Sequence, residues 1–158
     1  IQENFRALQK STIYGTPYKK NLDNIERILD LKAPDILRNL AETGIPTMKN
    51  LTESFPDFAR LALSADRNVK EKENFKLLTF LKSQLQARST IPRQGSDPDA
   101  VLSRSEAFLK SNDLEKSLFE LTQLDGIASK VMEPWRISAE NRIESLLAVE
   151  QLFKSIEK

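Results

Sequence analysis

The side chains that could do chemistry in this chain are few, and they are mostly carboxylic. Glu140 and Glu144 stand four apart, so a helix through them puts both carboxylates on one face. That spacing serves a metal centre when a second helix supplies further ligands. Glu115 and Glu120 form a second acidic pair, and Ser–Lys neighbours such as Ser129–Lys130 carry no supporting motif. The sequence has no histidine and no cysteine. That removes the commonest general base, the commonest metal ligand, thiolate sites and disulfides. No GxxxxGK phosphate loop occurs. With no histidine and no second Glu-rich helix at matching spacing, the acidic pairs read as solvated helix faces. No catalytic residue, cofactor or metal is expected, and the chain is not expected to be an enzyme.

The elements that would position these residues read as helices. A chain of 158 residues suits one domain and can bury a core without covalent staples. Hydrophobic residues make up 39% and charged residues 30%, too apolar for a disordered chain. Only four glycines favour long helices with few tight turns. The 24 basic residues nearly balance the 23 acidic ones, which leaves no electrostatic footprint for nucleic acid. Lys19–Lys20 is the densest basic cluster and reads as part of a solvated face. There is no membrane-spanning run and no signal peptide. The sequence begins at Ile1, not Met, so an excised piece with an anchor upstream is the expectation.

Helical spacing of Phe5, Leu8, Thr12 and Ile13 predicts a helix over residues 1–13, broken at Tyr14–Pro17. Leu22, Ile25, Ile28 and Leu29 form the next apolar stripe, ended by residues 30–34. Pro34 then starts a short helix over residues 35–42, with Leu37, Leu40 and Ala41 inward. Gly44 suits a left-handed position after that helix, and Thr47 an N-cap before the next. Pro56 is expected to interrupt. A long helix is expected over about residues 57–87, with Phe58, Leu61, Ala62, Ala65, Val69, Phe75, Leu78 and Leu85 on its apolar side and a break near Asn68. Residues 89–96 read as a loop.

Asp97–Pro98 is an N-cap followed by proline at the first helical position. Residues 98–110 and 114–124 then form an αα-hairpin turned by Ser111–Asp113. Asn112 tolerates the left-handed conformation there and Asp113 caps the second helix. Ala107 and Ser117 are the small residues expected at the helix contact. Residues 127–132 begin another helical piece, Pro134 kinks or restarts it, and the last helix runs to about residue 156. The fold class is therefore all-α: a helical bundle with a C-terminal αα-hairpin and a long last helix, without strands. Residues 1–17 are expected to be the end of an upstream amphipathic or coiled-coil helix. Residues 18–158 would form the domain, with subregions 18–88 and 97–158 joined by the 89–96 loop.

Two constellations bear on binding. The segment FRALQKSTIYGTPYKK mixes Phe5, Leu8 and Tyr14 with Arg6, Lys10, Lys19 and Lys20. That mixture suits a helix lying on a membrane surface. Packing onto the rest of the fold is the plainer reading and is preferred. Trp135 beside Arg136 suits a core or a subunit interface better than a membrane anchor. The stretch SRSEAFLKSNDLEKSLFEL has a tetratricopeptide-like hairpin pattern, although a solenoid needs roughly three repeats.

Three blocks together resemble a known family. They are GTPYKKNLDNIERI; AETGIPTMKNLTESFPDFA, with Gly44, Pro46, Thr47, Leu51 and Phe55; and GSDPDAVLSRSEAFLKSNDLEKSLFEL followed by PWRISAENRIESLLAVEQL. In the last, Leu102, Arg104, Glu106, Leu109, Asp113, Leu114, Leu118, Trp135, Ala139 and Arg142 carry the likeness. In order and spacing the chain resembles the mitofilin-like C-terminal domain of alphaproteobacterial inner-membrane proteins, relatives of mitochondrial mitofilin. It departs at Asn112, where a glycine is usual, and where Ser and Lys replace alanines. The family's upstream membrane helix and coiled coil are not in these residues.

The resemblance implies a non-enzymatic, self-associating scaffold of a membrane-organising, cristae-junction-like protein. It implies an inner-membrane location, with the domain on the periplasmic side. It implies a homo-oligomer, contact with a membrane surface, and outer-membrane barrel-assembly machinery as a partner. On that reading the C-terminal helices supply the packing and dimer interface: Leu109, Phe119, Trp135, Ile143, Leu147 and Phe153, with Arg104, Arg136 and Arg142 as polar contacts. The rival reading is a tetratricopeptide-like adaptor that binds a protein or peptide partner.

Overall fold

Helix follows helix along the computed structural model, which describes residues 1–73 and 94–155. The elements are α1 (Gln2–Tyr14), α2 (Lys19–Leu29), α3 (Asp35–Asn39), α4 (Met48–Glu73), α5 (Pro98–Lys110), α6 (Leu114–Leu121) and α7 (Gly126–Lys154). Among the described residues there is no strand. The fold is an all-α helical bundle with an αα-hairpin and a long last helix. The chain divides into two units, Ile1–Leu51 with Ser138–Lys158, and Thr52–Ile137.

The first unit closes around Phe5 and Leu8 of α1, Tyr18, Leu22 and Ile25, then Ala33, Leu37, Ala41 and Ile45, and Ala148, Val149 and Leu152 of α7. Each fully buried Leu or Phe here is worth about 1.5–3 kcal/mol of transfer free energy. Helix α1 therefore belongs to this core, where the expectation set residues 1–17 apart. Its Phe5 ring packs on Phe153 of α7, with centroids 4.6 Å apart. Ile28 falls off the α2 stripe and is exposed, because Leu22, Ile25 and Leu29 already define the inward face.

Backbone chemistry fixes the turns of this unit. Gly15 ends α1 at φ 67°, and Gly44 holds φ 90°. A Cβ on Gly44 would lie 2.0 Å from the Gly15 carbonyl oxygen, so two loops cross there backbone to backbone. Thr47 caps α4 by accepting from the Asn50 N–H at 3.1 Å. The Tyr18 hydroxyl is buried and donates to the Leu37 carbonyl at 2.8 Å.

In the second unit, Phe55 meets Trp135 edge to face, with centroids 4.8 Å apart and planes at 86°. Asp97 caps α5 by accepting from the Ala100 N–H, and Asp113 caps α6 by accepting from the Lys116 N–H, both at 3.1 Å. Asn112 takes φ 61° between them. Ser105 and Ser117 make the close contact of the hairpin. The Ser105 hydroxyl reaches the Ser117 carbonyl at 2.9 Å and its hydroxyl at 2.8 Å. The expected small pair, Ala107 with Ser117, is corrected to that extent: Ala107 is only half-buried.

Neither proline ends its helix, so the expected interruption at Pro56 and a restart at Pro134 do not occur. Helix α4 runs unbroken through Pro56 and past Asn68, and α7 runs unbroken through Pro134. Each proline lacks the N–H that would ordinarily donate to the carbonyl four residues back. Burial on both sides of the ring outweighs that loss: Phe55 and Ala59 flank Pro56, and Met132 and Trp135 flank Pro134. The expected continuation of α4 to residue 87, with Phe75, Leu78 and Leu85, lies outside the described residues, as does most of the 89–96 loop.

Candidate functional site

Much of the expected binding surface falls on helix α7, whose side chains divide sharply. In the first unit Ser145, Ala148, Val149 and Leu152 point into the core. Leu147 faces outward at 55% exposure with Leu146 beside it, and Ile143 is half-buried. Phe153 is partly buried, its ring packed at a tilt against Phe5. Arg142 is engaged within the chain. Its guanidinium donates to the carbonyls of Thr12 at 3.0 Å and Pro46 at 2.8 Å. Its partial burial holds the guanidinium below its ordinary pKa.

The interface residues of the second unit separate in the same way. Leu109 and Trp135 are core residues, the packing part of what was expected of them. Phe119, on α6, is 69% exposed. Arg136 pairs with Glu133 one turn away at 2.6 Å. Arg104 holds Glu120 at 2.9 Å and the Gly95 carbonyl at 2.7 Å, which ties the segment before α5 to the hairpin.

The residues expected to touch a membrane also divide. Phe5 and Leu8 are consumed by the core, which is the packing reading of that segment. Arg6, Lys10, Tyr14, Lys19 and Lys20 are exposed. Lys19 holds Asp23 at 2.6 Å. Ile13, at 64% exposure, joins Tyr14 at the end of α1. Its place on the outer face is set by which side of α1 meets Phe153 and Arg142, which helical periodicity alone does not reveal.

Glu120 is taken by Arg104 and Gln123, while Glu140 and Glu144 are exposed. Among the described residues no group of three or more acidic side chains could hold a metal ion. The shifted titrations sit at structural contacts. Hydrogen bonding to Lys116 lowers Asp113, and hydrogen bonding to Lys154 lowers Glu150. Hydrogen bonding to Asp66 raises Lys70, and burial raises Tyr18 to about 12. No helix among the described residues is long and apolar enough to cross a membrane.

Searches against protein-family models, curated proteins and solved structures find no match to this chain.

Proposed function

We propose that this chain is a non-enzymatic, self-associating scaffold domain of a membrane-organising protein. The observation that carries the reading is that several large apolar side chains stay outward once the cores have closed, among them Leu146 and Leu147 on α7 and Phe119 on α6. Exposed apolar patches mark association surfaces more often than chemistry. The likeness to mitofilin-like domains supplies the biological setting: the inner membrane, with the domain on the periplasmic side, and barrel-assembly machinery as a partner.

Contact with lipid forms part of the same reading. At the turn from α1 to α2, Ile13 and Tyr14 are exposed, with Lys10 before them and Lys19 and Lys20 after. Apolar side chains beside lysines suit the surface of an anionic bilayer. Self-association would multiply a weak lipid contact into avidity.

Vesicle co-sedimentation combined with light scattering tests the proposal. The expected result is concentration-dependent self-association, and binding to anionic vesicles that weakens with salt. A strict monomer that ignores vesicles and takes one peptide at one site would favour the adaptor reading, for which exposed Phe119 on the α5–α6 hairpin is the anchor.

A further inference from the structure

We propose that Asp125–Gly126, at the start of α7, is a modification site: the folded chain leaves it open to spontaneous conversion of Asp125 to isoaspartate. The proposal is independent of the scaffold reading. The reaction needs a side-chain carboxyl, the amide nitrogen of the next residue, and room for the two to meet. A following glycine hinders that attack least, having no side chain. Asp125–Gly126 is the only Asp–Gly pair in the sequence, and no asparagine precedes a glycine.

The fold leaves both reacting groups available. Asp125 and Gly126 are exposed. The Asp125 carbonyl accepts the Ser129 N–H at 3.2 Å, which opens the α7 ladder. The Gly126 N–H therefore stands in the first turn, where a helix offers no acceptor of its own. Among the described residues no hydrogen bond engages that N–H or the Asp125 carboxylate. Lys70 feels the charge of Asp125 but holds Asp66 instead, at 2.7 Å. Gly126 has φ 54°, and a Cβ there would meet nothing within 4 Å.

Other turns are closed to the same chemistry. The N–H after Asn112 donates to the Phe108 carbonyl at 2.9 Å, and the N–H after Asp30 donates to the Glu26 carbonyl at 3.2 Å. The N–H after Asp99 donates to the Asp97 carboxylate at 3.1 Å, and Asp97 is followed by Pro98, which has no N–H.

In the conversion the Gly126 nitrogen attacks Cγ of the neutral Asp125 carboxyl. The N–Cγ bond forms, and the carboxyl hydroxyl leaves with the amide proton as water. The product is a five-membered succinimide. Water then breaks one of its two C–N bonds. Opening at Cγ restores aspartate. Opening at the main-chain carbonyl leaves Gly126 joined to Cγ and frees the α-carboxylate, which is isoaspartate. The carbonyl that held the Ser129 N–H then lies outside the main chain, and α7 loses its first bond.

Prolonged incubation of the 158-residue chain, in native buffer and in urea, tests this. A carboxyl methyltransferase specific for isoaspartate, given S-adenosylmethionine, counts the freed α-carboxylates, and peptide mapping locates them. Asp125 should convert before any other Asp or Asn. Its rate in the folded chain should lie within about tenfold of its rate in urea, since no local opening is needed. Asp125→Glu, which would have to close a six-membered ring, should lose the signal. Asp125→Asn should convert faster through the same succinimide, releasing ammonia. Earlier conversion elsewhere, a folded chain more than about tenfold slower than the unfolded one, or a signal that survives in Asp125→Glu would overturn the proposal.

Discussion

Arg142 reaches across 130 residues of sequence to the Thr12 carbonyl and across 96 to the Pro46 carbonyl, using one guanidinium nitrogen for both. One side chain of α7 thereby fixes the end of α1 and the approach to α4. Arg142→Met keeps much of the apolar stem but removes the donors. It should lower the unfolding free energy by about 1–3 kcal/mol, the cost of leaving partly buried carbonyls unpaired. Urea denaturation measures this. No loss of stability would mean that water replaces the guanidinium without penalty.

Gly44 is the position least able to change. Its φ of 90° disfavours any side chain, and a Cβ would overlap the Gly15 carbonyl oxygen. Gly44→Ala should cost about 3 kcal/mol or more, combining backbone strain with a clash that only the loops can relieve. Gly126 also has positive φ, but a Cβ there would meet nothing within 4 Å. Gly126→Ala should therefore cost about 1–2 kcal/mol, from the left-handed backbone alone. The difference between the two variants in thermal or urea unfolding isolates the loop crossing.

The elements legible in the sequence are those whose cause lies within a few residues. Asp97, Asp113 and Thr47 each satisfy an N–H three positions on, Asn112 follows the end of α5, and Gly44 closes the turn after α3. Pro56 and Pro134 escape a local reading because a proline's effect depends on how much surface its helix buries, which is a tertiary quantity. The outward face is legible only in part for the same reason. Leu147 and Trp135 are both large and apolar at helical spacing, and contacts distant in sequence, such as that with Phe55, bury Trp135. The membership of α1 in the first unit depends on contacts to Phe153 and Arg142, far beyond any local window.

Ser145 is fully buried, and its hydroxyl has no hydrogen-bond partner among the described residues. Ser145→Ala removes that unpaired group and little volume. It should leave stability unchanged or raise it by about 1 kcal/mol. A clear loss in urea unfolding would indicate that the hydroxyl is hydrogen-bonded in solution.

Burial raises the Tyr18 pKa from 10.0 to about 12. The neutral phenol is thus favoured in the folded chain. Its contribution is fully present below pH 10, where the unfolded tyrosine ionises, and is lost as pH rises through the folded value near 12. Tyr18→Phe keeps the ring and deletes both the titration and the hydrogen bond to Leu37. The stability advantage of the unsubstituted chain over Tyr18→Phe should therefore shrink steadily between pH 10 and 12. A constant difference across that range would mean that the hydroxyl ionises with an ordinary pKa.

Trp135 is the only tryptophan, and it lies in the core of the second unit against Phe55. Its fluorescence should already be blue-shifted in the dilute chain, and it should not change with protein concentration or added vesicles. Trp135→Ala should cost about 3–5 kcal/mol, the range for deleting a buried aromatic. Phe119→Ser, at an exposed site, should change stability by no more than about 0.5 kcal/mol. An emission shift on self-association would place Trp135 at the contact between copies and reverse its assignment to the core. Constant emission while light scattering rises would place that contact away from Trp135, consistent with the outward side chains of α7.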